Sequence, residues 1–160
     1  MPPEVGETVP EFEALRCDGE TFRPRTLSGS LGEDGGVLVF FGFVFSAIAE
    51  NWWKRYERYG WADLDVPVYG IGRDGPYSMN AFLREIDSPF ELFADVDGEV
   101  ADTFNLLAER EGMAGVHTSR RAVYVLDGDG VVRDRWVGED YIRPVPTREL
   151  EESIRELTTE

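Results

Sequence analysis

Three segments of this chain are apolar at nearly every position: Val37–Phe41 (VLVFF), Pro67–Gly72 (PVYGIG) and Ala122–Leu126 (AVYVL). A strand that shows water one face alternates apolar and polar residues. A strand without alternation must be covered on both faces. Such strands need helices or loops above and below them. Helix-like segments do alternate with strand-like ones after Gly36, which predicts a mixed or parallel sheet flanked by helices.

The remaining pattern fills in around that sheet. Phe12–Phe22 reads as two short extended runs about a Cys17-Asp18-Gly19-Glu20 turn, because Asp-Gly is a strong turn signal. Gly32–Gly36 is a turn before the first apolar strand. Ile48, Trp52, Tyr56 and Tyr59 recur at helical spacing and Gly60 follows, so Asn51–Tyr59 is helical, with a start near Ala47. Ser78 is read as the N-cap of a helix from Met79 to about Ile86. Glu91–Ala94 is a short strand, and Asp97-Gly98 turns into a helix over Glu99–Leu107. The Asp127–Gly130 turn joins Ala122–Leu126 to a strand over Val131–Val137, and Thr147 is read as the cap of a last, amphipathic helix. The 160 residues contain no repeat and no long linker, so one domain over 1–160 is expected.

Charge excludes whole classes of function. There are 32 acidic against 16 basic residues, a formal net charge of −16, and Lys54 is the sole lysine. A field of that sign repels phosphate backbones and anionic lipids, so no nucleic-acid or membrane-surface role is expected. The composition resembles that of proteins that work in concentrated salt. No apolar run reaches the ~20 residues of a membrane helix. The first residues, MPPEVGETVPEFE, lack the basic and apolar regions of a signal peptide, so a cytoplasmic location is expected. Cys17 is the only cysteine and His117 the only histidine. An intramolecular disulfide is therefore impossible, and neither a zinc site nor any other cofactor is expected.

Four segments, in order, resemble the peroxiredoxins, the thioredoxin-fold family of alkyl hydroperoxide reductases and thiol-specific antioxidant proteins. Val5–Phe12 (VGETVPEF) is similar to the family's opening "G..aPdF". Val68–Pro76 (VYGIGRDGP) is similar to "V.GIS.DSP", and Phe93–Gly98 (FADVDG) to "L.SD..G". Arg121–Asp127 (RAVYVLD), followed by GDGVVR, is similar to "R.tFvID..G.v". The resemblance implies a thioredoxin-like α/β fold of peroxiredoxin type, with a central mixed sheet flanked by helices and an N-terminal hairpin. It also implies an antioxidant thiol oxidoreductase chemistry centred on a P-x-x-x-T-x-x-C motif that opens the helix after the first core strand. There the helix N-terminus lowers the cysteine pKa. A threonine hydroxyl and an arginine hold the peroxide.

In this chain the corresponding window is Gly42-Phe43-Val44-Phe45-Ser46-Ala47-Ile48-Ala49. By that resemblance Ser46 takes the threonine position and Arg121 the arginine position. Gly42 replaces the proline, Ala49 the peroxidatic cysteine, and Trp52 a frequent glutamate. A methyl group cannot attack peroxide. The expectation is therefore a family member without peroxidase activity at the usual site, with a binding or regulatory role. A peroxide or small anion would sit near Arg121, or near Arg120 if the strand register slips by one.

Three alternatives stay open. Cys17, exposed in its turn beside Arg16, could carry redox chemistry alone or across two chains. Ser46 could pair with His117 as a nucleophile. Consecutive Trp52 and Trp53 lie about 100° apart on a helix, so one should face a pocket mouth or a partner. Trp61 could join them, giving a homodimer or partner-protein surface. The strand VVRDRWV is either a charge-protected edge or a pairing edge between two copies.

Overall fold

The computed structural model describes residues 1–159. In chain order the elements are β1 (Glu13–Cys17), β2 (Phe22–Thr26), β3 (Gly36–Phe40), α1 (Ala47–Arg58), a 3-10 turn (Trp61–Asp63), β4 (Val68–Gly72), α2 (Pro76–Glu85), β5 (Glu91–Ala94), α3 (Glu99–Thr103), β6 (Leu107–Glu109), β7 (His117–Ser119), β8 (Ala122–Leu126), β9 (Val132–Val137) and α4 (Thr147–Glu156). Seven strands form one sheet in the order β2-β1-β5-β4-β3-β8-β9, and β6 pairs with β7 in a two-stranded ribbon. β3, β4 and β5 run parallel, while β1, β2, β8 and β9 join antiparallel.

The unbroken apolar strands are explained by two cores, one on each face. Val37, Val39, Val68, Leu92, Val123 and Val125 point to a layer built by α1, α2 and α4. Leu38, Phe40, Tyr69, Ile71, Tyr124 and Leu126 point to the other, where α3 and the N-terminal segment supply Val9, Phe12, Val100 and Phe104. Successive strand residues thus alternate between two dry layers rather than between core and water.

Several boundaries move for local reasons. α1 buries Ala49, Trp52, Trp53 and Tyr56, whereas Ile48 and Tyr59 are exposed. The buried stripe therefore runs i, i+3, i+4, i+7 from Ala49, not along the expected row from Ile48. α2 begins at Pro76 behind Gly75, not after Ser78, because a proline at the first helical position lacks only an N–H that has no partner there anyway. α3 stops at Thr103 rather than Leu107. Asn105 takes a left-handed φ of 57°, and Leu107 already belongs to β6. Thr147 is the first residue of α4 and makes no cap. Pro146 precedes it instead.

Gly70 lies at the centre of β4, and its bare Cα is where Trp53 meets the sheet. A Cβ there would stand 2.4 Å from Trp53 Cζ2 and 2.4 Å from Leu92 Cδ2. α1 is thereby seated close enough to the sheet for its first turn to lie over the C-terminal ends of β3 and the start of β8.

Candidate active site

The site begins where β3 runs out. Phe41 still donates its N–H to Ile71 O (3.0 Å), and the chain then leaves the sheet. Residues 42–46 form a short loop tied down by Asp74, whose carboxylate accepts the Val44 N–H at 2.8 Å. Burial raises the Asp74 pKa, and the Val44 N–H and the Arg73 charge only partly oppose this. The loop ends on Phe45, a non-glycine residue at φ 65°, with its ring against Phe82. Strain of this kind is held by surrounding contacts. Ser46 then caps α1: its Oγ accepts the Ala49 N–H at 3.2 Å and donates to Phe43 O at 2.9 Å.

Between this loop, the first turns of α1 and the start of β8 lies a cavity of about 320 Å³. Phe41, Phe43, Ala49, Trp52, Tyr56 and Trp136 give it an apolar, largely aromatic wall. Ser46, Arg110, Arg121 and the hydroxyls of Tyr56 and Tyr141 are the polar groups of its lining residues, and among the described residues no carboxylate lines it.

Arg121 is the unusual member. It is only 5% exposed and is paired with no acid among the described residues. Nη1 donates to Arg143 O at 2.6 Å, while Nη2 is buried and has no partner among the described residues. The guanidinium carbon lies 5.5 Å from the ring centres of both Trp52 and Trp136, so two indole faces flank the charge. Burial lowers its pKa, opposed by Tyr56 and by the more distant field of Asp140. An arginine remains charged at physiological pH despite such a shift. Arg121 precedes Val123 by two residues and shares its face, the α1 face. Its neighbour Arg120 instead donates to Gly138 O at 3.1 Å. Of the two adjacent arginines, Arg121 is the one in the cavity wall.

The structure brings Ser46, Ala49, Trp52 and Arg121 together around one cavity. It does not bring in Cys17. That side chain has no exposed surface and sits in the α2-side core at the end of β1. β1 stands three strand positions from β3, or about 14 Å at about 4.8 Å per strand. Burial pushes the thiol up to about 12, and the charges of Asp18 and Glu91 add to this. Arg16 turns away to Glu91 and Ser30. The expectation of an exposed, activated Cys17 is overturned, because the turn at Asp18 is exposed but the last residue of β1 points inward.

His117 is exposed on β7. Its Nδ1 lies 2.9 Å from Gly115 O, and both bonds of Ser46 Oγ are spent on the helix cap, so no Ser46–His117 pair forms. The tryptophan surface also needs correction. Trp52, Trp53 and Trp61 are all buried, Trp53 against Gly70 and Trp61 stacked on Tyr56 at 4.9 Å. None of them offers a face to a homodimer or partner protein. Trp52 does face a pocket, one of the two expected positions. β9 is a sheet edge, with Arg133 paired to Asp127 and Arg135 to the N-terminal segment.

Sequence reasoning missed Arg110, Tyr141, Trp136 and Asp74. The register would have found Trp136, since it pairs with Val123 and so shares the face of Arg121. Arg110 carries no such signal. It lies in the loop after β6, stacks on Tyr141 at 3.8 Å and reaches to 3.0 Å of where a Cβ on Gly42 would be. A residue larger than glycine at 42 would push that arginine aside.

Comparison with known proteins now bears on this geometry. The AhpC/TSA family model matches residues 5–135. This chain belongs to that family. The peroxiredoxin of Thermoplasma volcanium is 31% identical over 97% of this chain and 73% of its own length. Peroxiredoxin 2 of Thermoplasma acidophilum is 30% identical over 94% of the chain and 73% of its own length. Among solved structures, a cysteine-to-serine mutant of the peroxiredoxin 6 of Arenicola marina superposes with a TM-score of 0.78 at 16% identity, covering 96% of this chain and 73% of that one. The reduced 2-Cys peroxiredoxin of Plasmodium vivax gives 0.73 at 18% identity, over 93% of each chain. The fold is the thioredoxin-like α/β fold of the peroxiredoxins, as the four sequence segments imply. Among the described residues no helix is long and apolar enough to cross a membrane, and no group of three or more His, Cys, Asp or Glu is placed to hold a metal.

Proposed function

We propose that this AhpC/TSA-family protein binds a ligand in the Arg121 cavity and does not reduce peroxide there. Ala49 stands where the family's cysteine would attack. The observation that carries the reading is the absence of any thiol from the cavity, together with the burial of Cys17 in another part of the core. Catalysis of peroxide reduction by this family needs a thiolate, and a thiol held near pKa 12 is almost wholly protonated at neutral pH. What remains is a helix-capping serine, a buried cation and an apolar wall that includes Met113. These can hold an anion, and none of them is the thiolate through which the family turns peroxide over. The reading treats residues 1–160 as one domain.

The test is hydrogen peroxide consumption by the purified protein with excess dithiothreitol in concentrated salt, with intact mass recorded before and after. Consumption no faster than dithiothreitol alone, with unchanged mass, is expected. Rapid turnover with a one-oxygen gain on Cys17 would overturn the reading and make the protein a peroxidase with a relocated cysteine.

A further inference from the structure

We infer that the Arg121 cavity takes a small monocarboxylate with an aromatic or branched apolar body, the carboxylate paired with the Arg121 guanidinium and the body against Trp52 and Trp136. The inference rests on the binding reading above and deepens it. Buried charges in proteins are normally paired, since an unpaired one forfeits its hydration for nothing. Arg121 is 95% buried, and its Nη1 has only a neutral carbonyl. Its Nη2 has no partner among the described residues. Asp140 acts on Arg121 through its field alone, and among the described residues no acid lines the cavity. The missing partner is therefore an anion that comes from outside.

Size and lining narrow its chemistry. Liquid water takes about 30 Å³ per molecule, so about 320 Å³ has room for on the order of ten waters. Hydrogen peroxide, with its two oxygens, would rattle in it. A wall of phenylalanine, tryptophan, tyrosine and alanine side chains rewards an apolar body by withdrawing its surface from water. The polar contacts available are few. Arg121 Nη1 is already committed, Ser46 Oγ makes two bonds, and the Arg110 guanidinium lies on Tyr141. One carboxylate on an apolar body suits that wall, whereas a phosphate or a dicarboxylate would set several of its oxygens against phenylalanine, tryptophan and alanine side chains. Arg110, stacked on Tyr141, reaches the Gly42 loop and lines the same cavity.

Three probes separate these features in the wild-type protein: phenylacetate, its neutral near-isostere phenylacetamide, and acetate, which has the charge without the body. Binding is read by calorimetry and by tryptophan emission, because two indoles flank the charge. Phenylacetate is expected to bind about tenfold or more tighter than either of the others, the scale of one charge-assisted hydrogen bond. Arg121→Gln should bring phenylacetate down to the level of phenylacetamide. Equal binding of phenylacetate and phenylacetamide, or no binding of phenylacetate at millimolar concentration, would overturn the inference. Should Arg121→Gln fail to fold, the wild-type comparison alone decides. The peroxide assay is run on the same preparation. Peroxide turnover sinks the binding reading itself. An inert protein that ignores phenylacetate sinks only the ligand assignment.

Discussion

Replacing Gly70 by alanine presses on the contact that seats α1 over the sheet. The new Cβ would lie 2.4 Å from Trp53 Cζ2, 2.8 Å from Trp53 Cη2 and 2.4 Å from Leu92 Cδ2. Carbon atoms rest comfortably at about 3.5–4.0 Å, so something must move by roughly 1 Å. Neither neighbour has room. Trp53 is 1% exposed and wedged among Phe41, Tyr56 and Phe90, with ring centres 5.2–5.6 Å away. Leu92 is fully buried. Overpacking of this kind costs about 1–3 kcal/mol, and two rigid neighbours place it at the upper end. Alanine returns about 0.4–1 kcal/mol by narrowing the unfolded ensemble. The net loss is therefore about 2 kcal/mol, a fall of about 4–8 °C in Tm for a chain of this size. Thermal unfolding followed by circular dichroism measures it. In a Trp53→Phe background the clashing atoms Cζ2 and Cη2 are gone and only the Leu92 contact remains, so the cost of Gly70→Ala should drop by about 1 kcal/mol. An unchanged or raised Tm for Gly70→Ala, or the same cost in both backgrounds, would refute the claim that Trp53 is packed on a bare Cα.

Ala49→Cys places a thiol in the cavity wall, behind the Ser46 cap and on the same cavity as Arg121. It should gain peroxide-dependent oxidation, seen as a one-oxygen mass increase at residue 49, where the wild type shows none; reaction no faster than that of a small-molecule thiol would mean the remaining pocket no longer activates a nucleophile. Cys17 should resist Ellman's reagent in the native protein and react stoichiometrically in denaturant, whereas prompt native reaction would contradict its burial. The Asp18 carboxyl is held below its ordinary 3.8 by the N–H groups of Thr21 and Glu20. A depressed carboxyl contributes stability above its unfolded pKa and loses it as pH falls through its lower folded value. Asp18→Asn should therefore lower the urea midpoint at pH 7 and make little difference at pH 2, at constant ionic strength; a pH-independent difference would assign the effect to something other than ionisation.

The sheet was legible because strands buried on both faces leave no polar alternation, and Val37–Phe41, Pro67–Gly72 and Ala122–Leu126 all lie within one residue of observed strands. Helix starts were less so. Ser78 and Thr147 have the right side chains for caps, but Pro76 and Pro146 fix the chain entry first. The stripe of α1 was rotated by one residue because aromatic residues surround the helix. Only the close approach at Gly70, a tertiary fact, decides that Trp53 faces the sheet. Within the site, the family resemblance pointed to Ser46, Ala49 and Arg121, and the fold does gather them. Cys17 was misjudged because a turn signal says where the chain bends, not which way the residue before the bend points. Arg110 and Tyr141 come from loops without periodicity, so no pattern in the sequence foretells their meeting.

Residues 42, 49 and 52 together shape the cavity. Glycine there lets the Arg110 guanidinium come to 3.0 Å of the position a Cβ would occupy. A proline ring at that position would fill the space and turn the arginine out. On the opposite wall, alanine at 49 keeps a methyl group where a longer side chain would intrude, and Trp52 supplies the indole that flanks Arg121. Each of these three residues acts in the same direction. The first admits a second cation to the rim, the second leaves volume, and the third adds apolar wall beside the buried charge. A 95% buried arginine whose one hydrogen bond goes to a neutral carbonyl carries a desolvation cost that a neutral residue of similar size would not. That costly cation, with room beside it and no acid among the described residues lining the cavity, is the feature on which the proposed binding rests.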